Sequence, residues 1–319
     1  MVQEYWDPLW DALNEIVQNY QKMKIVNIIG GLGNQMFQYA FALALKEQNN
    51  GEDVFIDTQH FHTLFFNKYK NTNLHNGFEL HKVFKELKVP IADWKKLIKV
   101  TYYIPNFILS RVARRVLPKR KSEFIETKRF AYDSLVFERK GNCYYEGYWQ
   151  SINYYLPIKD KIIKEFDFGC PNAYNKNILK KINESETVGM HIRRGDYLYI
   201  PEFQGLCDLD YYQRAIKEIQ VTNRKITYLI FSNDIKWCKE NISPLVGKNE
   251  IIFVTENKGI NSCWDMFLMS QCDNLVIANS SFSWWGAFLN KRAKKIIAPI
   301  RWKNTEQNID LFDPTWIRL

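Results

Sequence analysis

From residue 186 onward the chain alternates short apolar runs with segments of helical spacing, and this alternation constrains the fold most. Runs at 187–193, 226–231, 250–254, 274–278 and 295–299 read as strands. Segments at 210–221, 234–241, 263–272 and 282–291 carry apolar positions three and four apart and read as helices. Strand–helix–strand units at this spacing give a parallel sheet with right-handed crossovers. Such a sheet binds ligands beyond the carboxyl ends of its strands. Arg193 and Asp196, Ser232 to Asp234, Thr255 and Glu256, and Asn279 to Ser281 each follow a strand. Unrelated surface residues have no reason to choose one edge.

The N-terminal half opens in the same way. Lys24 to Ile29 reads as a buried strand, Gly30, Gly31 and Gly33 as a turn, and Asn34 to Lys46 as a helix. A second strand, Val54-Phe55-Ile56, ends at Asp57, which makes a Rossmann-like βαβ opening. A G-x-G with an acidic residue about 24 positions on is half of the dinucleotide fingerprint. Met36 stands where the third glycine belongs, which disfavours a nicotinamide cofactor. The glycines let backbone approach a ligand, with Asn34 and Gln35 placed to hydrogen-bond phosphate or sugar.

With 319 residues, two domains are expected, at 23–160 and 161–319, the last residues packing back on the first domain. Residues 1–22 form an extension. Asp7 can N-cap a helix with Pro8 at its first position, and Trp6, Leu9, Trp10, Leu13, Ile16, Val17 and Tyr20 make one apolar stripe. A native capping or oligomerising helix and an added foreign segment both fit.

A formal net charge of +9 favours polyanionic partners such as nucleoside diphosphates and anionic membranes. No nucleic-acid signature accompanies it, so nucleic acid is not expected as a partner. The six cysteines are scattered without C-x-x-C spacing, as expected of reduced thiols in a cytoplasm. His60, His62, His75 and His81 lack metal-ligand spacing. No signal peptide or spanning segment is read, so the sequons at Asn183, Asn241 and Asn279 are chance matches. The basic run 111–121 is either a solvated face or a peripheral contact with anionic lipid at the inner membrane face.

The densest chemistry is His191-Ile192-Arg193-Arg194-Gly195-Asp196. A guanidinium grips phosphate with two charge-assisted hydrogen bonds at once. The plain alternative is a solvated turn in which Asp196 pairs with a neighbouring arginine. This His-x-Arg-Arg-x-Asp resembles the donor-binding motif shared by α1,2-, α1,6- and protein O-fucosyltransferases. Gly30-Gly31-Leu32-Gly33-Asn34-Gln35-Met36-Phe37-Gln38-Tyr39-Ala40 resembles the N-terminal signature of glycosyltransferase family 11. Ala278-Asn279-Ser280-Ser281-Phe282-Ser283-Trp284-Trp285-Gly286-Ala287 resembles its C-terminal signature. Tyr144 to Ser151 resembles the family's mid-chain aromatic stretch, where acceptor stacking and a packed domain edge are both open.

The resemblance implies a GT-B architecture, two Rossmann-like α/β domains facing a cleft. It also implies an inverting α1,2-fucosyltransferase that uses GDP-fucose on a galactose-terminated glycan, without a metal or other cofactor. Arg193, Asp196 and Asn34 are then the expected catalytic residues. His191, Arg194, Gly31, Gly33, Gln35, Ser232, Asp234, Asn279, Ser280 and Ser281 are the expected donor-binding ones. Arg194 either shares the phosphate with Arg193 or holds Asp196. Asp234 accepts from guanine or ribose, or caps a helix. Trp284 and Trp285 are expected to be structural. Asp196, Glu146, Asp265 and Glu256 are open as the base. An α1,6-type fucosyltransferase and a non-catalytic glycan- or nucleotide-binding module are the rival readings. Asp208-Leu209-Asp210 is literally a metal-binding D-x-D, but Asp210 precedes a helix and reads as its cap.

Overall fold

The computed structural model describes residues 22–48, 52–62, 76–220, 225–305 and 310–319. The helix expected in the N-terminal extension and His75 lie outside the described residues.

Two parallel sheets build the molecule. In the first, β1 (Met23–Asn27) lies between β2 (Asp53–Asp57) and β4 (Cys143–Glu146), with β3 (Glu123–Ile125) beyond β4. In the second, the order is β10 (Ile317–Arg318), β9 (Lys295–Ala298), β8 (Asn274–Val276), β5 (Glu186–Ile192), β6 (Ile226–Ser232) and β7 (Glu250–Val254). Every pairing in both sheets is parallel. A parallel sheet is covered on both faces, and β1 is buried at each of its residues.

The residues of β1 sort by alternation. Val26 joins a core with α1 (Leu32–Gln48), whereas Met23 and Ile25 meet α2 (Trp94–Val100) through Leu97 and Val100. Thus α2, followed by α3 (Phe107–Val116), covers the sheet face opposite α1. Neither helix shows in the periodicity of 58–140.

Linking the sheets is α4 (Lys159–Glu165), and the second domain adds α5 (Ala173–Glu184), α6 (Leu209–Ile219), α7 (Ile235–Asn241), α8 (Cys263–Met269) and α9 (Ser281–Phe288). The two halves are the α/β, GT-B-like arrangement, with a cleft between them. They also share one core. Phe37 of α1 packs against Trp284 and Trp285 of α9, with ring centroids 4.5 and 5.0 Å away. Trp285 donates its indole N–H to the Gly33 carbonyl at 2.9 Å, and Trp284 donates to that of Leu311 at 2.8 Å. Both tryptophans are structural.

The C-terminal segment visits both domains. The Asp310 N–H donates to the Phe130 carbonyl, and the Ile152 N–H to the Asp310 carbonyl, each at 2.7 Å. Its last residues do not stay on the first domain: Ile317 and Arg318 return to extend the second sheet beside β9.

Candidate active site

A cavity of about 820 Å³ opens at the carboxyl ends of β5, β6 and β7, walled on the other side by the β1–α1 loop. Small-molecule sites fall at roughly 300–1,000 Å³. Gly31, Gly33, Asn34, His191, Arg193, Asp196, Ser232, Ser280 and Ser281 line it, brought from distant parts of the sequence to one place by the meeting of α1 and α9.

Arg193 leaves β5 and enters the cavity. One guanidinium nitrogen pairs with Asp196 at 2.7 Å, and the plane stacks over Tyr197 with its carbon 5.2 Å from the ring centre. Its Nε is buried and has no partner among the described residues. The rest of the guanidinium is partly exposed and lines the cavity, where a fork of N–H groups suits an anion. Beside it, burial and then the Arg193 charge push the His191 imidazole down to about 3, so the ring is neutral. Its Nδ1 is likewise buried and unpartnered among the described residues.

The second anion-binding element is the start of α9. Asn172, Asp208 and Asp234 each cap a helix by accepting an N–H three residues on, in α5, α6 and α7. At α9 the Ser280 side chain makes no such cap. The N–H groups and positive dipole end of α9 therefore face the cavity. The start of α1 differs, since buried Glu79 approaches the Leu32 N–H; burial raises this carboxyl above its ordinary range.

Two glycines hold this geometry together. A Cβ on Gly33 would lie 2.6 Å from the backbone carbon of Ser281, so only glycine lets the two helix starts abut. Gly33 therefore serves the closeness of the two domains while it lines the cavity. Gly195 has φ +37°, and a Cβ there would lie 2.3 Å from Asn233 Nδ2. Asn233 in turn accepts the Arg194 N–H at 2.9 Å, which sets the turn after β5.

Asn34 stands where this cavity meets a smaller one of about 290 Å³, lined also by Arg129, Tyr148, Gln150, Glu202 and Lys303. Gln150 donates to Asn34 Oδ1 at 2.9 Å and so turns its amide nitrogen away. Trp149, at φ +56° and buried, stacks on Phe41 with centroids 4.1 Å apart. The strained residue presents Gln150 to Asn34. In the aromatic stretch, Tyr144, Tyr145 and Trp149 are thus core, while Tyr148 and Gln150 face the smaller cavity.

Four expected donor contacts are placed elsewhere. Gln35 is buried, donating to the Gly30 and Gly77 carbonyls and accepting the Glu79 N–H, so it braces the loop. Arg194 neither shares the cavity nor holds Asp196; it pairs with Asp234 at 3.2 Å and stacks 4.0 Å over Trp237. Asp234 spends its other oxygen capping α7 through the Trp237 N–H, so both of its oxygens are committed. Asn279 donates to the Trp302 carbonyl and accepts from Cys207, bordering only the smaller cavity. Asp57, the acid of the half fingerprint, is buried against the Tyr144 hydroxyl at 2.7 Å and cannot reach a ribose.

Among the carboxylates open as base, Glu146 faces Arg114 and Glu256 is exposed, and neither lines a cavity. Asp196 and Asp265 line the larger one. Burial pushes Asp265 up to about 7, against the opposing hydrogen bond from Asn257. The D-x-D is not at the cavity. Asp208, rather than the expected Asp210, is the cap of α6, and Asp210 pairs with Arg214 at 2.9 Å. Among the described residues, no three His, Cys, Asp or Glu side chains converge as a metal cluster.

The model of the family described as glycosyl transferase family 11 matches residues 120–319. The chain belongs to glycosyltransferase family 11. It is 32% identical over 302 residues to an Escherichia coli alpha-1,2-colitosyltransferase, covering 92% of this chain and 98% of that protein. It is 25% identical to the mouse galactoside alpha-(1,2)-fucosyltransferase 2, covering 84% of this chain and 67% of the relative. Among solved structures it is similar to the fucosyltransferase NodZ from Bradyrhizobium, with 13% identity, a TM-score of 0.49, and coverage of 86% and 95%.

In this family-11 chain, sequence reasoning missed Tyr197, Glu79 and Lys303. Tyr197 lines both cavities, and burial pushes its hydroxyl up to about 12. Its position one residue past the Arg-Arg-Gly-Asp was the available signal. Glu79 and Lys303 lie in loops without periodicity, and nothing local marks them.

Proposed function

We propose that the protein transfers L-fucose from GDP-fucose to the 2-hydroxyl of a terminal galactose on an oligosaccharide or surface polysaccharide, with inversion. The observation that carries this reading is the convergence of the partly exposed Arg193 guanidinium and the uncapped start of α9 in one cavity. Breaking the sugar–phosphate bond builds negative charge on the departing diphosphate. Preset donors aimed at that charge lower the barrier because they need no reorganisation. The neutral His191 adds a polar contact without a second positive charge. Asn34, oriented by Gln150 at the junction of the cavities, is suited to bind where donor and acceptor meet.

A second reading takes colitose, a deoxy counterpart of fucose, as the transferred sugar. The 32% identity to a colitosyltransferase across nearly the whole chain favours it. Incubation with GDP-fucose and with GDP-colitose against a panel of β-galactosides, read by mass spectrometry and linkage analysis, decides between them. An α1,2-fucosylated galactoside is the expected product; transfer from GDP-colitose alone would establish the second reading.

The reaction is proposed to need no metal. Both aspartates of the D-x-D are committed on α6, and Arg193 with α9 serves the phosphates instead. Turnover in excess chelator should match that with magnesium or manganese. Loss on chelation with recovery on adding metal would refute this.

A further inference from the structure

Half of the exposed large hydrophobic residues among those described fall between residues 91 and 117. Six of these nine lie on α2 and α3, on the sheet face opposite α1. Helix α3 turns Phe107, Ser110 and Arg114 inward, as its packing requires. Its outward side is not polar: Ile108, Val112 and Val116 recur four apart, and Val116 is 77% exposed. In α2, Leu97 and Val100 point inward while Trp94, 55% exposed, and Ile98 point out. The helices are knit into one surface, with Arg120 donating to the carbonyls of Ile98 at 3.0 Å and Thr101 at 2.8 Å, and Tyr102 to that of Pro118 at 2.9 Å.

Charge on this surface has a single sign. No Asp or Glu occurs from residue 94 to residue 121. Lys96 pairs with Asp93, Arg114 is turned in toward Glu146, and Arg120 is spent on carbonyls. Lys95, Lys99, Arg111, Arg115, Lys119 and Lys121 remain exposed, with no ion pair to another described residue.

Scattered exposed aliphatics are ordinary, but a cluster rimmed by polar groups marks a contact surface. An ordinary solvated basic face needs no aliphatic stripe, and the unpaired positive charge calls for an anionic occupant. Two exposed helices that carry aliphatic and basic side chains and no carboxylate from residue 94 to residue 121 match the layering of an anionic bilayer. There, long basic stems reach the phosphates while the aliphatic side chains enter the acyl boundary. We propose that the protein docks on anionic membranes through α2 and α3, with Trp94, Ile98, Val112 and Val116 inserted and the six exposed Lys and Arg residues at the headgroups. The surface is wider than the basic run 111–121 alone, and the proposal stands apart from the identity of the transferred sugar.

The test is flotation of the full-length chain with vesicles of phosphatidylglycerol and phosphatidylethanolamine, and with vesicles of phosphatidylcholine alone. Binding to the anionic vesicles only is expected. The double variant Val112→Glu, Val116→Glu should bind them at least about tenfold more weakly. The pair Lys119→Glu, Lys121→Glu should also bind more weakly. These positions are exposed, so circular dichroism and GDP binding should match the wild type. No wild-type binding, equal binding to phosphatidylcholine, or undiminished binding by the valine variant would each overturn the proposal. So would a dimer that the valine variant disrupts in a protein that leaves vesicles alone.

Discussion

Arg193 and Arg194 are chemically identical neighbours with different work. Arg194 is held by Asp234 and Trp237, whereas the Arg193 guanidinium lines the cavity. Arg193→Lys retains the charge and loses the planar fork. Turnover should fall about a hundredfold, on the order of 3 kcal/mol, because the loss is felt where leaving-group charge develops. Near wild-type kcat with an unchanged melting temperature would remove Arg193 from the role. Asp265 carries a different signature, since burial moves its carboxyl from an ordinary 3.8 to about 7. The fold favours the protonated form, so this contribution is complete below about pH 4 and is lost as pH rises through about 7. Across that window Asp265 makes the wild type less stable as pH rises, and Asp265→Asn should flatten this part of the stability profile. Parallel curves of melting temperature against pH for the two proteins would contradict it.

At the scale of elements, the site depends on two helix starts held in contact. Side chains cap the starts of α5, α6 and α7, whereas α9 begins uncapped at the cavity. An unfilled helix start invites an anion. What positions it is Gly33, whose missing side chain leaves room for the Ser281 backbone. A methyl group there meets the backbone of Ser281 and Phe282, which no rotamer change can relieve. Gly33→Ala should cost about 1–3 kcal/mol of stability. It should also weaken GDP binding, measured by calorimetric titration, because α9 moves away from Arg193. Wild-type GDP affinity in that variant would show that the contact of the two starts does not shape the site.

Over the whole molecule, the two sheets behave as one body because the aromatic core passes between them. Phe37 sits against Trp284 and Trp285, and the Trp285 indole is fastened to the Gly33 carbonyl. The segment at Asp310 and Leu311 adds a second tie, bonding to Phe130, Ile152 and Trp284. Neither half can expose its share of this core without disrupting the other. Scanning calorimetry should therefore record one unfolding transition. Trp285→Phe keeps most of the ring contact but removes the indole hydrogen bond to the Gly33 carbonyl, and should lower stability by about 1 kcal/mol. Two separate calorimetric peaks in the wild type would show that the domains are energetically independent.

The alternation of apolar runs and helical segments determined the parallel sheets, because the two periodicities leave a strand and a helix few other ways to bury their apolar faces. It also put His191 to Asp196 and Asn279 to Ser281 at strand ends, where parallel sheets bind ligands. What it left open was which member of each adjacent pair faces the ligand. Arg193 faces the cavity and Arg194 braces; Asn34 faces it and Gln35 braces; Ser280 faces it and Asn279 braces. Neighbouring side chains point to different sides of the backbone, so one of two similar residues must turn away. Which side becomes the cavity depends on where the other domain lies, and contacts such as Gly33 against Ser281, 248 positions apart in the chain, exist only in the tertiary structure.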